Sequence, residues 1–234
     1  MSLMSKSDIS LATAVHRLVQ WVGDGRALTS TGKLRVSDGQ YLVSLLDTGD
    51  HPQGGAGLRR LSSTDNLPTL RYLLELTIEA GLLRIQRGRL LQVKKHAQQA
   101  ATAEGVRQLL VENVHRTAPE TLAPVFDRPD LGNAALKALW GELSEAEEAP
   151  LAISELAEVL WNAVAADPDV IELWPVGKQD EAKAHFAELT ASVLLEYAQL
   201  GALATNSELT IVQLTAGGAR EVERLGATGV PVPR

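Results

Sequence analysis

A five-residue pattern occurs twice in this chain of 234 residues, each time directly before an apolar stretch. Residues 34–38 read LRVSD, and residues 151–155, which lie 117 positions later, read LAISE. From the serine of the pattern to a later glycine there are 44 positions in the first copy and 47 in the second. Repetition on this scale predicts a duplicated structural unit, because each copy must fold in the same way. The landmarks that keep the same order are Trp21, the Leu-Leu-Glu at 73–75 and Gly81 in the first copy, and Trp140, the Leu-Leu-Glu at 194–196 and Gly201 in the second.

Helical periodicity and turn residues divide the first half into helices and one hairpin. Ser37 is the expected N-cap of the second helix, and Gly81 is the expected end of the third, because glycine readily adopts the left-handed conformation that closes many helices. After Gly81 the pattern is that of two short strands joined through Arg87 and Gly88. The predicted elements are helices over residues 11–22, 37–46, 67–80 and 94–114, and strands over residues 82–86 and 89–93.

The second half repeats this order of elements. Ser154 is the expected cap of a helix that follows a short extended piece, and Gly201 ends a long helix over residues 180–200. A hairpin around Asn206-Ser207 follows, and Thr215 starts the last helix. We therefore predict a mainly α fold with small β-hairpins (α+β), built from two units. The predicted organisation is a basic unit over residues 9–117, a linker over 118–132 and an acidic unit over 133–228.

This order of elements resembles that of a winged helix-turn-helix, over residues 11–114 and again over residues 133–226. The segments GRALTSTGKLRVSDG, SLLDTGD and GLLRIQRGRL are also similar to an uncharacterised group of actinobacterial proteins. The first resemblance implies two winged-helix-like units, and in regulators of that family the third helix enters the major groove of DNA. The second resemblance implies no activity.

The third helices have a composition that fits base reading poorly. A helix in the major groove should expose Arg, Lys, Asn, Gln, Ser or Thr, whereas carboxylates there face the field of the phosphates. We expect these helices to pack against protein rather than DNA. The positions expected to face outward are Thr69, Arg71, Glu75, Thr77 and Glu79 in the first unit, and Glu188, Thr190, Ser192, Glu196 and Gln199 in the second.

The two halves carry opposite net charge. Residues 1–117 hold 15 Lys and Arg against 10 Asp and Glu, a net charge of +5, and residues 118–234 hold 7 against 19, a net charge of −12. Opposite fields favour docking of the two halves, within one chain or in a two-fold dimer. Cations on and after the first hairpin could contact nucleic acid or a protein partner, or could simply protect a solvated sheet edge. These cations are Arg84, Arg87, Arg89, Lys94 and Lys95.

No catalytic, cofactor-binding or metal site is predicted. The absence of cysteine excludes disulfides and thiolate zinc sites. The glycine-rich segment that starts at His51 lacks the GK[ST] ending of a phosphate-binding loop. Glu181, His185 and Glu188 share a helix face and could hold a metal, but such a triple on an acidic helix is typical of a solvated surface. The other three histidines lie in no nucleophilic arrangement: His16, His96 and His115.

Tryptophans are the largest apolar side chains in the chain. Trp21, Trp140 and Trp161 are expected to fill the cores of the two units. Trp174, which precedes a proline, suits either an anchoring loop or a partner contact.

Taken together, these patterns favour a non-catalytic protein-interaction or scaffold protein over an enzyme. Its expected partners are another protein or a second copy of itself. The alternative is a DNA-binding transcriptional regulator that uses the basic hairpin of the first unit. No leader sequence and no run of 18 apolar residues is present, which predicts a cytoplasmic location and no membrane contact.

Overall fold

The computed structural model describes residues 9–51, 63–125, 128–165 and 178–228. The chain divides into two compact units, Met1–Leu110 and Val111–Arg234. Most of the glycine-rich segment after His51 and all of the Trp174 region lie outside the described residues, so the expectations for both stay predictions. No helix in the described part of the chain is long and apolar enough to cross a membrane.

The first unit consists of helices around a small antiparallel sheet. Its strands have the order β1-β3-β2, so β3 lies between the short strand β1 and the hairpin partner β2. Two short 3-10 helices, Lys94–His96 and Gln99–Ala101, follow the hairpin. The labelled elements are α1 (Leu11–Val22), β1 (Arg26–Ala27), α2 (Val36–Leu46), α3 (Pro68–Glu79), β2 (Leu83–Gln86), β3 (Arg89–Gln92) and the start of α4 (Ala103–Leu122).

The second unit repeats the same order around a second three-stranded sheet, whose order is β4-β6-β5. The prediction of a mainly helical α+β fold with small hairpins is therefore confirmed. The labelled elements are the end of α4, α5 (Pro129–Glu145), β4 (Leu151–Ala152), α6 (Ile153–Ala165), α7 (Gln179–Gln199), β5 (Leu203–Thr205), β6 (Ile211–Leu214) and α8 (Ala216–Thr228).

Both units end their third helix at a glycine and turn into the hairpin through the same hydrogen bonds. Gly81 and Gly201 each have a φ of 70°, in the left-handed region. The next residue, Leu82 or Ala202, donates its N–H to a carbonyl five residues earlier, at 3.1 and 3.0 Å respectively. This pattern is that of a Schellman C-cap. The carbonyls of the same two residues then accept a hydrogen bond from the residue that directly follows the last strand of the hairpin. The donor is the N–H of Val93 in the first unit, at 2.9 Å, and the N–H of Thr215 in the second, at 3.2 Å.

Each unit has one apolar core. Leu18, Leu42 and Leu73, from three different helices of the first unit, are fully buried. In the second unit Phe186 and Tyr197 of α7 are fully buried, and Trp161 of α6 packs on Phe186 with ring centroids 5.8 Å apart. Burial of one such aromatic side chain stabilises a fold by about 1.5–3 kcal/mol, so these helices are held mainly by their apolar faces.

Several predicted helix limits are wrong. Ser37 and Ser154 lie inside α2 and α6, which begin one residue before these serines, so neither serine is the N-cap. The predicted helix over 94–114 is interrupted, because Thr102 is extended and its hydroxyl caps α4 by accepting from the N–H of Gly105 at 3.0 Å.

The two compact units meet inside α4 rather than after it. The predicted boundary followed Thr117, whereas the observed one separates Leu110 from Val111. Residues 118–132, predicted as a linker, hold the end of α4, a 3-10 helix and the start of α5. Val114 and Ala118, which are buried residues of α4, belong to the second unit.

Candidate interaction surface

The hairpin of the first unit presents its cations on a rigid support. Strands β2 and β3 pair Arg84 with Leu91 and Gln86 with Arg89, and antiparallel pairs two residues apart lie on the same face of a sheet. Arg84, Gln86 and Arg89 therefore share one face. The two-residue turn has φ values of 51° at Arg87 and 69° at Gly88, the combination that a type I′ turn requires.

Strand β1 fixes the tip of this hairpin. The N–H of Leu28, directly after β1, donates to the carbonyl of Gly88 at 2.8 Å. The guanidinium of Arg89 donates to the carbonyl of Gly25 at 3.3 Å, so this side chain is held across the sheet. The tip therefore does not depend on the two-residue turn alone.

All five predicted cations are exposed, three on the hairpin and two in the 3-10 helix that follows it: Arg84, Arg87, Arg89, Lys94 and Lys95. We call these five residues the basic surface. Within the described part of the chain, none of them lies within 4 Å of a carboxylate. Elsewhere in the same unit cations are paired: Lys33 bonds to Asp65 and Arg71 lies 3.3 Å from Glu75. The positive charge of the basic surface is thus uncompensated locally.

Arg26 is a further exposed cation of this sheet that the sequence patterns did not indicate, and it lies on the face opposite to that of Arg84 and Arg89. It lies in β1 opposite Leu90, and its guanidinium lies 4.7 Å from the centre of the Trp21 ring. The same group donates to the carbonyl of Trp21 at 2.9 and 2.7 Å. The side chain of Trp21 itself is only half-buried, so the prediction that it fills the core is wrong. Only the pairing of β1 with β3 brings Arg26 to the hairpin.

The second unit builds the equivalent hairpin without these cations. The matching hydrogen bonds of Leu82 with Val93 and of Ala202 with Thr215 define equivalent positions in the two hairpins. The outer strand of the second hairpin, β5, contains no charged residue, so a charged edge is not a requirement of this fold. On this alignment Arg84 corresponds to Ala204, Arg89 to Ile211, Lys94 to Ala216 and Lys95 to Gly217.

At the junction of β6 and α8, which corresponds to Lys94 and Lys95, the second unit instead has an acidic cleft. The cleft has a volume of about 470 Å³. Apolar groups, including Leu214, Ala216 and Ala219, line part of it. Three exposed carboxylates stand at its rim: Glu147, Glu148 and Glu223.

The exposed faces of the third helices differ from the expected ones. Thr69 and Thr77 of α3 are buried, and so is Thr190 of α7, so the prediction that these residues face outward is wrong. The hydroxyl of Thr77 donates to the carbonyl of Leu73. The side chains that remain exposed on α3 are mainly Arg71, Glu75 and Glu79, and those on α7 include Glu181, His185, Glu188 and Ser192.

A cluster of polar and aromatic groups in the second unit contains two buried side chains, Trp140 and Tyr197, and the half-buried His115. The hydroxyl of Tyr197 lies 3.4 Å from Nδ1 of His115, and the ring of Trp140 meets that of Tyr197 edge-on with centroids 4.8 Å apart. Burial lowers the pKa of His115 and raises the pKa of Tyr197 well above its usual range. Both groups are therefore neutral near pH 7, and their arrangement is that of a packed core.

The other predicted site candidates do not form a site among the described residues. Glu181, His185 and Glu188 are all exposed on α7, and Nδ1 of His185 lies 3.6 Å from Glu188. No group of three or more potential metal ligands was found in the described ranges. His16 is engaged through Nδ1 with the carbonyl of Ala100 at 3.2 Å, and His96 lies in a 3-10 helix rather than at the start of an α-helix.

No protein-family model, no curated protein and no solved structure matches this chain.

Proposed function

We propose that this chain is a non-catalytic interaction protein made of two winged-helix-like units. The support for the units is the element order, the position of the first short strand beside the last, and the repeated helix–glycine–hairpin junction. The same junction, with the same hydrogen bonds, favours an origin by internal duplication. The proposed partners are proteins, including further copies of this chain.

The observation that carries this proposal is the charge on the exposed faces of α3 and α7. On α3, Glu75 and Glu79 are exposed, and the single cation, Arg71, already lies 3.3 Å from Glu75. On α7, the exposed groups include Glu181 and Glu188. Carboxylates at these positions are repelled by the phosphates on either side of a groove. Such helices suit contacts with protein better than base reading.

A DNA-binding transcriptional regulator is the second candidate, and the basic surface favours it. Cations on a hairpin next to a helix-turn-helix can contact the phosphate backbone without entering a groove. Contacts of this kind give sequence-independent affinity that falls steeply with salt.

Fluorescence anisotropy with labelled double-stranded DNA separates the two candidates. Under the proposed function, duplexes bind weakly at about 50 mM salt, without sequence preference, and binding is lost near 150 mM salt. The double variant Arg84→Ala/Arg89→Ala should abolish the weak binding, whereas the control Arg71→Ala on α3 should leave it unchanged. A sequence-selective complex that persists near 150 mM salt and requires Arg84 and Arg89 would establish the regulator instead.

A further inference from the structure

We infer that the basic surface of one copy binds the acidic cleft of the second unit of another copy, in a closed two-fold dimer. The inference rests on the proposed interaction role and names the partner. Its basis is that the first unit has an uncompensated basic surface and the second unit has an acidic cleft.

The first step of the argument is that the cations have no structural task in the fold. The second unit forms the same junction and a paired hairpin with Ala204 at the position of Arg84, and Ile211, at the position of Arg89, pairs with β4. Of the five cations of the basic surface, only Arg89 makes a side-chain hydrogen bond within the described residues. The other four are exposed and have no ion-pair or hydrogen-bond partner among the described residues, so an external anion would balance their charge.

The second step is that the chain itself supplies a matching anionic surface. The compact first unit holds 14 Lys and Arg against 9 Asp and Glu, a net charge of +5, and the second holds 8 against 20, a net charge of −12. In the second unit, Glu147, Glu148 and Glu223 surround a cleft of about 470 Å³.

The third step is that apolar contacts are available beside the charges. Leu91 pairs with Arg84, so it lies on the same face of the sheet as Arg84 and Arg89, and it is only half-buried. In the second unit Leu214, Ala216 and Ala219 line part of the cleft. Exposed ion pairs contribute little to affinity, so charge would select and orient the partner while these side chains add buried apolar area.

The fourth step concerns closure. When one surface of each copy binds a different surface of the next copy, copies add without limit into a filament unless symmetry closes the assembly. In a two-fold dimer each copy supplies one basic surface and one acidic cleft, so the same contact forms twice and no surface is left over.

Sedimentation velocity of the full chain, from about 1 to 100 µM, tests the inference by charge exchange. The basic variant is Arg84→Glu/Arg87→Glu, which avoids the hydrogen-bonded Arg89, and the acidic variant is Glu148→Arg/Glu223→Arg. Each should raise the dimer dissociation constant at about 50 mM salt by at least tenfold. A chain with all four changes should dimerise within about threefold of the original protein, because its charges are again complementary. Loss of folding could not produce this rescue.

The matched control is Lys33→Glu/Arg71→Glu, which changes the net charge of the first unit by the same amount on another surface. It should leave the dissociation constant within about threefold of the original value. The inference would be overturned if the protein stayed monomeric at about 100 µM and 50 mM salt. It would also be overturned if neither charge exchange changed the dimer dissociation constant, or if the variant with all four changes did not dimerise again. Growth beyond the dimer would likewise overturn it.

The outcome for this inference is separate from that for the proposed function. A monomer that binds no DNA selectively removes the dimer and leaves an interaction protein with another partner. A monomer that binds a specific duplex through Arg84 and Arg89 removes both.

Discussion

Replacing Gly201 with alanine should destabilise the second unit, although the new methyl group would touch nothing. A Cβ at this position has no atom within 4 Å, so no steric clash contributes. The cost arises from the backbone, because φ is +70° and the left-handed conformation costs an alanine about 1–2 kcal/mol. Reduced freedom of the unfolded chain offsets about 0.4–1 kcal/mol of this. We expect a net loss of about 1 kcal/mol.

Gly141 provides a control of opposite sign in the same unit. It lies within α5, a Cβ there would also meet no atom within 4 Å, and its φ is not positive. Gly141→Ala should therefore stabilise the unit by about 0.5–1 kcal/mol, the usual gain of alanine over glycine inside a helix. The two variants should differ by about 2 kcal/mol, or about 8 °C in Tm for a unit of this size.

Urea and thermal denaturation of the full chain measure this difference. Tryptophan fluorescence reports mainly on the second unit, because three of the four tryptophans lie in it. Gly81→Ala should produce a comparable loss in the first unit, since Gly81 has the same φ and the same open surroundings. If Gly201→Ala were as stable as the original protein, or were stabilised like Gly141→Ala, the assignment of Gly201 as a left-handed helix end would be refuted.

Two further predictions concern buried polar groups of the second unit. The hydroxyl of Thr190 is buried without a hydrogen-bond partner among the described residues, so Thr190→Val should stabilise the unit by about 1 kcal/mol in urea denaturation. Thr77→Val, which removes a hydroxyl that is hydrogen-bonded, is the control and should give no such gain; equal effects would contradict the assignment. Burial lowers the pKa of His115, so the folded unit binds fewer protons than the unfolded chain, and its stability should fall as the pH drops through about 6.5. His115→Gln should flatten this dependence between about pH 7 and 5, and an unchanged slope would show that other groups cause it.

The sequence determined the features that depend on neighbouring residues. Gly81 and Gly201 end their helices as predicted, because a left-handed residue after an apolar helix is a local requirement that glycine meets best. The turn at Arg87 and Gly88 was also predictable from neighbouring residues, because the turn needs two positive φ values and glycine occupies one of the two positions. The positions of the basic surface followed directly from these two features.

Tertiary structure decided which side of each helix is buried and where the units divide. Leucines and an isoleucine occur on several sides of α3, so helical periodicity did not show that Thr69 and Thr77 face the core. Arg26 reaches the hairpin only because β1 pairs with β3 across 62 positions of sequence, from Ala27 to Arg89. The division inside α4 is likewise non-local. A continuous helix shows no break in its own sequence, and only the contacts that the chain makes within each compact unit separate Leu110 from Val111.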